Sequence, residues 1–257
     1  MISFQKEQIF IVTGASSGIG EATAILLNSL GATIIGIGRS KERLEAMKTE
    51  CKYPQSVFLE QKDLVEDIEN LPNYVKSLKE KYGKFSGMAY CAGVNGLNPI
   101  KAITYEYAKE IFDINYFSPL MMIKGMVDKR NNIGKGTSIV SVSSIVALFS
   151  QKGQNVYAAA KAALCASIQS ISKEITPYGM RINSVLPSMI QTPMLEDRNR
   201  KVVFIDAKQI HNTIHNLFGL GEPKDVANMI CYLLSNEAKF ISGQGYIIDS
   251  GGGGGVG

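Results

Sequence analysis

The chain has 257 residues, of which 45% are hydrophobic and 19% are charged, with a formal net charge of +4 at pH 7. That length and apolar content predict one α/β domain over residues 1–257 with a large buried core. The basic residues are scattered and nearly balanced by acidic ones, so neither a nucleic-acid stripe nor a polybasic membrane patch is expected. The N-terminus carries early charge, and no apolar run reaches about 18 residues, which predicts a cytoplasmic protein without a membrane span.

Short apolar, β-branched runs alternate along the chain with segments of helical periodicity. The strand candidates are residues 8–13, 32–38, 56–60, 86–91, 137–143, 180–186 and 245–249. Helical patterns lie between them at 18–30, 41–51, 65–82, 104–130, 154–177 and 223–235. This alternation predicts a Rossmann-type doubly wound parallel sheet of about seven strands, with helices on both faces. The polar segment 193–220 is interpreted as a substrate lid.

The first strand is followed by TGASSGIG, at residues 13–20, and then by a helix. Gly14, Gly18 and Gly20 allow a sharp turn and let a pyrophosphate approach the helix N-terminus. The second strand ends at Gly38, where an acidic residue would bind an NAD ribose, and Arg39 follows it. We therefore predict that NADP(H) is favoured over NAD(H), with Arg39 pairing with the 2′-phosphate.

Tyr157 and Lys161 lie four residues apart in NVYAAAKAAL, which places both side chains on one face of a helix. An ammonium close to a phenol favours the phenolate, so we expect the pKa of Tyr157 to be lowered toward neutrality. A tyrosine with such a pKa can pass protons at working pH. The alternative is that the two residues form an ordinary surface pair.

Cysteine and histidine usage gives no support for a metal site. The cysteines, at 51, 91, 165 and 231, are far apart and form no C-x-x-C pair, so buried free thiols are expected. His211 and His215 have i,i+4 spacing, but no third ligand accompanies them. We interpret them as solvated helix residues.

Six motifs occur in the order and spacing of the short-chain dehydrogenase/reductases: TGASSGIG, CAG at 91–93, IN at 114–115, SVSS at 141–144, YAAAK at 157–161 and LPSMIQTPM at 186–194. The chain resembles the single-domain branch of that family, particularly its 3-oxoacyl-thioester reductases. The resemblance implies an oxidoreductase that interconverts a carbonyl and a secondary alcohol by hydride transfer. It also implies a small-molecule substrate and assembly as a homodimer or homotetramer.

The resemblance assigns roles to individual residues. It implies that Tyr157 is the general acid/base and that Lys161 binds the nicotinamide ribose and lowers the tyrosine pKa. Ser144 would hold the substrate carbonyl, and Asn115 would organise a water molecule. The residues implied in cofactor binding are Gly14, Ser16, Ser17, Gly18, Ile19, Gly20, Arg39, Asp63, Leu64, Ala92, Gly93, Tyr157, Lys161, Pro187, Ile190 and Thr192.

Three positions depart from the family pattern. Cys91 stands where the family usually has asparagine, while Ala147 and Ser188 replace common glycines. A thiol is a poor hydrogen-bond partner, so we expect a lost contact near Cys91. Two alternative functions stay open: a sugar or polyol dehydrogenase of the same family, and a non-catalytic NADP(H)-binding sensor.

Overall fold

The computed structural model describes residues 2–196 and 219–252. Its centre is a seven-stranded parallel sheet with the strand order β3-β2-β1-β4-β5-β6-β7. The strands are β1 (Ile9–Thr13), β2 (Thr33–Gly38), β3 (Val57–Gln61), β4 (Gly87–Tyr90), β5 (Ser138–Val142), β6 (Arg181–Pro187) and β7 (Gly245–Ile248). The predicted doubly wound parallel sheet is confirmed, with each strand within about two residues of its predicted bounds.

Helices follow the strands in the expected alternation. They are α1 (Gly18–Ser29), α2 (Lys41–Thr49), α3 (Leu71–Tyr82), α4 (Tyr105–Phe112), α5 (Ser118–Val127), α6 (Asn155–Ile175), α7 (Pro193–Glu196) and α8 (Pro223–Leu234). Two expectations differ from the structure. The helix predicted from residue 65 begins at Leu71, because 64–70 form turns and Pro72 suits a first helical turn. The helix predicted over 104–130 is interrupted by a π-helical turn, Asp113–Phe117.

Apolar side chains of the five inner strands alternate between two hydrophobic clusters, one on each face of the sheet. Phe10 and Val12 of β1 belong to the cluster that includes side chains of α1, α2 and α8. Ile11 points the other way, into the cluster with α3, α5 and α6. All six residues of β2 are buried, as expected for a parallel strand covered on both faces.

The sheet order reverses between β1 and β4, which are neighbours although two strands separate them in the chain. Crossover connections leave β1 and β4 toward opposite sides at this point, so a crevice opens beyond their carboxyl ends. The glycine turn at 14–20 and the CAG motif at 91–93 both lie at these ends.

Two sequence interpretations fall wholly or largely outside the described residues. Of the predicted lid at 193–220, the structure describes only α7 and residues 219–220. His211 and His215 also lie outside the described residues. Within residues 2–196 and 219–252, no helix combines the length and apolar character needed to cross a membrane.

Arg181 connects the start of β6 to the end of α8 from a buried position, with 7% of its surface exposed. Its guanidinium donates hydrogen bonds to the carbonyl oxygens of Leu233 at 2.8 Å and Ser235 at 2.9 Å. These carbonyls belong to the last turn of the helix, where the macrodipole favours a cation. Burial lowers the pKa of Arg181, but the carbonyl partners compensate the loss of water.

We expect Arg181→Met to lower the free energy of unfolding by about 3 kcal/mol, because it leaves buried carbonyls without a donor. The measurement is urea unfolding at fixed protein concentration. Arg130→Met is the matched control, because Arg130 is an exposed partner of Asp128, and its loss should leave the midpoint unchanged. Equal midpoints for both variants would contradict the role of Arg181.

Candidate active site

The glycine turn brings the backbone of β1 against that of the β4 loop. Gly14 and Gly18 have φ values of +66° and +56°, which disfavour any side chain. A Cβ on Gly14 would lie 3.0 Å from the backbone nitrogen of Ala92, and one on Gly20 would overlap the carbonyl oxygen of Gly14. Because α1 begins at Gly18, this turn presents the N–H groups of the helix to the crevice.

A cleft of about 560 Å³ lies over the carboxyl ends of β1, β2, β3 and β4. It gathers twelve of the residues predicted to contact a cofactor: Gly14, Ser16, Ser17, Gly18, Ile19, Gly20, Arg39, Asp63, Leu64, Ala92, Gly93 and Thr192. The other four, Tyr157, Lys161, Pro187 and Ile190, do not line it: Tyr157 is half-buried, the other three are buried, and Ile190 forms a bridge with Gly221. A long cleft with glycine at its closest approaches fits a dinucleotide.

The β2 end of the cleft holds no acidic side chain at the position expected in an NAD-binding site. A Cβ on Gly38 would lie 3.0 Å from Oγ of Ser16, so the serine hydroxyl fills this space. Arg39 is exposed, and its guanidinium has no hydrogen bond or ion pair with another described residue. Asp63 accepts a hydrogen bond from the backbone N–H of Val65 at 3.2 Å.

The four predicted catalytic residues lie close together beyond β4 and β5. Nζ of Lys161 donates to the carbonyl oxygen of Val142 at 2.9 Å and lies 5.8 Å from the centre of the Tyr157 ring. A Cβ on Gly93 would lie 3.4 Å from this Nζ and 3.0 Å from Oδ1 of Asn115. Gly93 therefore joins the nucleotide cleft to the predicted catalytic group.

Ser144 is placed just after β5, where it precedes a short 3₁₀ turn, Ile145–Ala147. Its Oγ accepts a hydrogen bond from the backbone N–H of Val146 at 3.4 Å, and only 9% of the residue is exposed. The hydroxyl lies close enough to Tyr157 to affect the pKa of the phenol. The turn therefore holds Ser144 beside Tyr157.

The pKa of Tyr157 differs from the sequence-based expectation. Burial raises the pKa of Tyr157 to about 12, and the Ser144 hydroxyl opposes that rise only in part. The expected lowering by Lys161 is therefore wrong for the chain alone, because desolvation of the phenolate dominates. Burial also lowers the pKa of Lys161 to about 8, since its ammonium has a carbonyl partner rather than a carboxylate.

Asn115 lies in the π-helical turn and is fully buried. Its Nδ2 donates to the carbonyl oxygens of Ile111 at 2.9 Å and Val94 at 3.1 Å, and its Oδ1 accepts from the N–H of Val94 at 3.2 Å. An α-helix would reserve the Ile111 carbonyl for the backbone N–H of residue 115. The side-chain amide thus anchors the loop after β4 to the interrupted helix.

The junction of β1 and β4 keeps polar contacts at Cys91, although a lost contact was expected there. Oγ1 of Thr13 accepts hydrogen bonds from the backbone N–H groups of Cys91 and Ala92, both at 3.1 Å. Burial raises the pKa of the Cys91 thiol to about 12.

All four cysteines are free, with Cys51 and Cys231 buried. In the described part of the chain, no three histidine, cysteine or acidic side chains form a group that could hold a metal.

Sequence reasoning missed one wall of the cleft and part of its edge. The additional lining residues are Lys62, Val65, Tyr105, Glu106, Lys109, Glu110, Asp113 and Ile114. Most belong to α4 and the π-helical turn, and among them only Ile114 lies in a motif named above, IN at 114–115. Lys62 could have been predicted from the sequence, because it directly follows β3 and so lies at the same edge of the sheet as Arg39.

Comparison with known proteins agrees with this arrangement. The family described as enoyl-(acyl carrier protein) reductase matches residues 14–252. The 3-oxoacyl-[acyl-carrier-protein] reductase of Thermotoga maritima is 30% identical over 248 residues, covering 95% of this chain and 97% of that protein. The L-rhamnose 1-dehydrogenase (NAD(P)(+)) of a Sphingomonas strain is 29% identical over 245 residues, covering 94% of each.

Among solved structures, a dehydrogenase/reductase from Sinorhizobium meliloti superposes with a TM-score of 0.86 at 25% identity. The superposition covers 98% of this chain and 96% of that one. The sheet order, the glycine turn and these relatives agree over nearly the whole length. The chain therefore belongs to the short-chain dehydrogenase/reductase family of oxidoreductases.

Proposed function

We propose that this oxidoreductase uses NADP(H) to interconvert a carbonyl and a secondary alcohol, with Tyr157 as the acid/base. The observation that carries the proposal is that Nζ of Lys161 approaches Gly93 in the lining of a dinucleotide-sized cleft, with Tyr157 beside Lys161 and Ser144 beside Tyr157. A cofactor-binding sensor would need the cleft but not a half-buried tyrosine beside a serine hydroxyl. The proposal includes action in the cytoplasm as a homodimer or homotetramer.

Tyr157 and Ser144 act together in the reductive direction. When bound, the cofactor supplies hydride, and negative charge then builds on the substrate oxygen. Both hydroxyl groups donate hydrogen bonds to that oxygen, and Tyr157 transfers its proton. The raised pKa keeps Tyr157 protonated at neutral pH, which is the form that donates a proton to the substrate oxygen. The Lys161 ammonium stabilises the phenolate that remains.

Asn115 acts as a positioning residue in this proposal. Its amide makes three hydrogen bonds within the chain, two of them to the backbone of Val94. These bonds fix the loop that carries Gly93 against Lys161. The resemblance implies that Asn115 organises a water molecule. Because its amide is already hydrogen-bonded to the backbone, we propose that Asn115 contributes by holding the surrounding loop in place.

A 3-oxoacyl thioester is the substrate class that we propose. The similarity to the Thermotoga reductase supports it, and so do exposed apolar side chains that follow Ser144 closely in the chain. Leu148 and Phe149 are 57% and 50% exposed directly after the turn that follows Ser144. An acyl chain would cover such side chains, whereas a polyol would not. The similarity to L-rhamnose 1-dehydrogenase supports a sugar as the second candidate.

Tyr157→Phe is expected to lower turnover of a 3-oxoacyl thioester by about 10²–10⁴-fold, because it removes the proton donor. NADPH affinity should stay within about threefold, since the ring and Lys161 are retained. The measurement is loss of reduced-nicotinamide absorbance, run in parallel with a keto sugar, together with calorimetric NADPH binding. Tyr178→Phe, which removes an exposed hydroxyl, is the control. Full activity of Tyr157→Phe would contradict the mechanism.

Arg39→Gln is expected to lower kcat/KM for NADPH by roughly 10–100-fold, because a charge-assisted contact to the 2′-phosphate is lost. The value for NADH should change by less than about threefold. Steady-state kinetics with both cofactors provide the measurement. Arg43→Gln removes the same charge from the exposed first turn of α2, outside the cleft, and serves as the control. Equal losses with both cofactors would rule out 2′-phosphate recognition by Arg39.

Lys161 makes stability depend on pH. Its pKa is about 8 in the folded chain, and an unfolded lysine has a pKa of about 10.4. Between these values the unfolded state binds more protons, so this lysine adds stability as the pH rises. The unfolding free energy of the wild type relative to Lys161→Met should therefore rise by roughly 2–3 kcal/mol from about pH 7.5 to about pH 10.

Urea unfolding of the wild type and Lys161→Met across this pH range provides the measurement. The titrations of Tyr157 and the cysteines occur in both proteins, so they cancel in the difference. A difference that is independent of pH would show that Lys161 keeps an ordinary pKa in the folded chain.

A further inference from the structure

Lys62 and Arg39 extend from adjacent strand ends into the same side of the cleft. Gly38 at the end of β2 pairs with Gln61 at the end of β3. The backbone N–H of Lys62 donates to the carbonyl oxygen of Gly38 at 3.0 Å, and Nε2 of Gln61 donates to that of Arg39 at 3.0 Å. Both cationic residues line the cleft. The two strand ends are therefore fixed to each other at the point where these cations emerge.

The ammonium of Lys62 has only a weak acidic partner. Its side chain is 26% exposed and lies 3.4 Å from Glu66, whose side chain is 69% exposed. By comparison, Lys109 lies 2.6 Å from Asp113, and both of these residues also line the cleft. An exposed ion pair at the longer distance contributes little and exchanges readily. Lys62 is therefore a sheltered cation that can change partner at small cost.

Asp63 is the one acidic residue of the described cleft lining that follows the strand ends carrying Arg39 and Lys62. Gly38 has no side chain, and Ser16 presents a neutral hydroxyl there. The carboxylate of Asp63 accepts a hydrogen bond from Val65. The other three acidic residues of the lining lie on α4 and the following turn: Glu106, Glu110 and Asp113. The two cations at the ends of β2 and β3 thus share their part of the lining with a single carboxylate, that of Asp63.

We propose that Lys62 is a specificity-determining residue that binds the 2′-phosphate of the cofactor together with Arg39. This inference rests on the proposed use of NADP(H) and deepens it. A phosphate monoester carries a charge of about −1.5 to −2 at neutral pH, which a single guanidinium leaves partly uncompensated. The 2′-phosphate displaces Glu66 from Lys62, while Arg39 binds from the neighbouring strand end. NADH offers no group for this exchange.

The experiment measures binding without turnover, by titration calorimetry with adenosine 2′,5′-bisphosphate and with AMP. Lys62→Gln should weaken the bisphosphate by about tenfold and change AMP by less than about twofold. Lys62→Arg should retain most of the bisphosphate affinity, because it keeps the charge. Glu66→Gln should strengthen bisphosphate binding by about two- to threefold, because it removes the competing carboxylate.

Lys76→Gln is the matched control. Lys76 and Glu80 form the same i,i+4 type of pair, 3.9 Å apart on α3, and neither residue lines the cleft. This variant loses the same charge, so it should leave the affinity for both ligands unchanged. Thermal unfolding of Lys62→Gln and Lys76→Gln checks that both variants fold.

Two results would overturn the proposal, and they are distinguishable. If the wild type prefers the bisphosphate but Lys62→Gln binds it equally well, or weakens both ligands alike, the role of Lys62 fails while the NADP(H) preference stands. If the wild type binds both ligands with equal affinity, the NADP(H) preference fails as well. Tyr157-dependent turnover is tested separately and does not enter this comparison.

Discussion

The hydroxyl of Thr13 holds the carboxyl ends of β1 and β4 together at the point where the sheet order reverses. It accepts hydrogen bonds from the backbone N–H groups of Cys91 and Ala92, both at 3.1 Å. This contact brings Ala92 so close to Gly14 that only glycine fits the turn. The crevice, the approach of α1 and the position of Gly93 beside Lys161 all depend on this junction.

Two buried cations show how partners determine what a charge does. Arg181 donates to the carbonyl oxygens of Leu233 and Ser235 at the end of α8 and of Ile241 before β7, so its charge is satisfied and stabilises the fold. Lys161 donates to the single carbonyl of Val142, and burial lowers its pKa to about 8. A cation with few partners remains available to a ligand or a phenolate, whereas one with many does not. Lys62 is likewise available to a ligand, because its acidic partner is exposed and lies 3.4 Å away.

The sheet could be predicted because its determinants are local. The seven apolar runs and the helices between them have the periodicities that burial on two faces requires, and the strand bounds agree closely. The π-helical turn at Asp113–Phe117 was not predicted: Pro119 is a local signal for an interruption, but the contact that fixes the turn is distant in the chain. The Asn115 amide reaches Val94 across 21 residues, and no helical propensity contains that contact.

The sequence by itself determined the fold class, the glycine turn, the family, and which residues are candidates for catalysis and cofactor binding. Those features depend on residue type and spacing, which can be read directly from the sequence. Only the tertiary structure decided the electrostatic state of the site. Tyr157 and Lys161 stand four residues apart, but burial shifts the pKa of the phenol upward to about 12 against the expectation from spacing. Desolvation depends on everything packed around a group, so neighbours from β5, α6 and the loops set it.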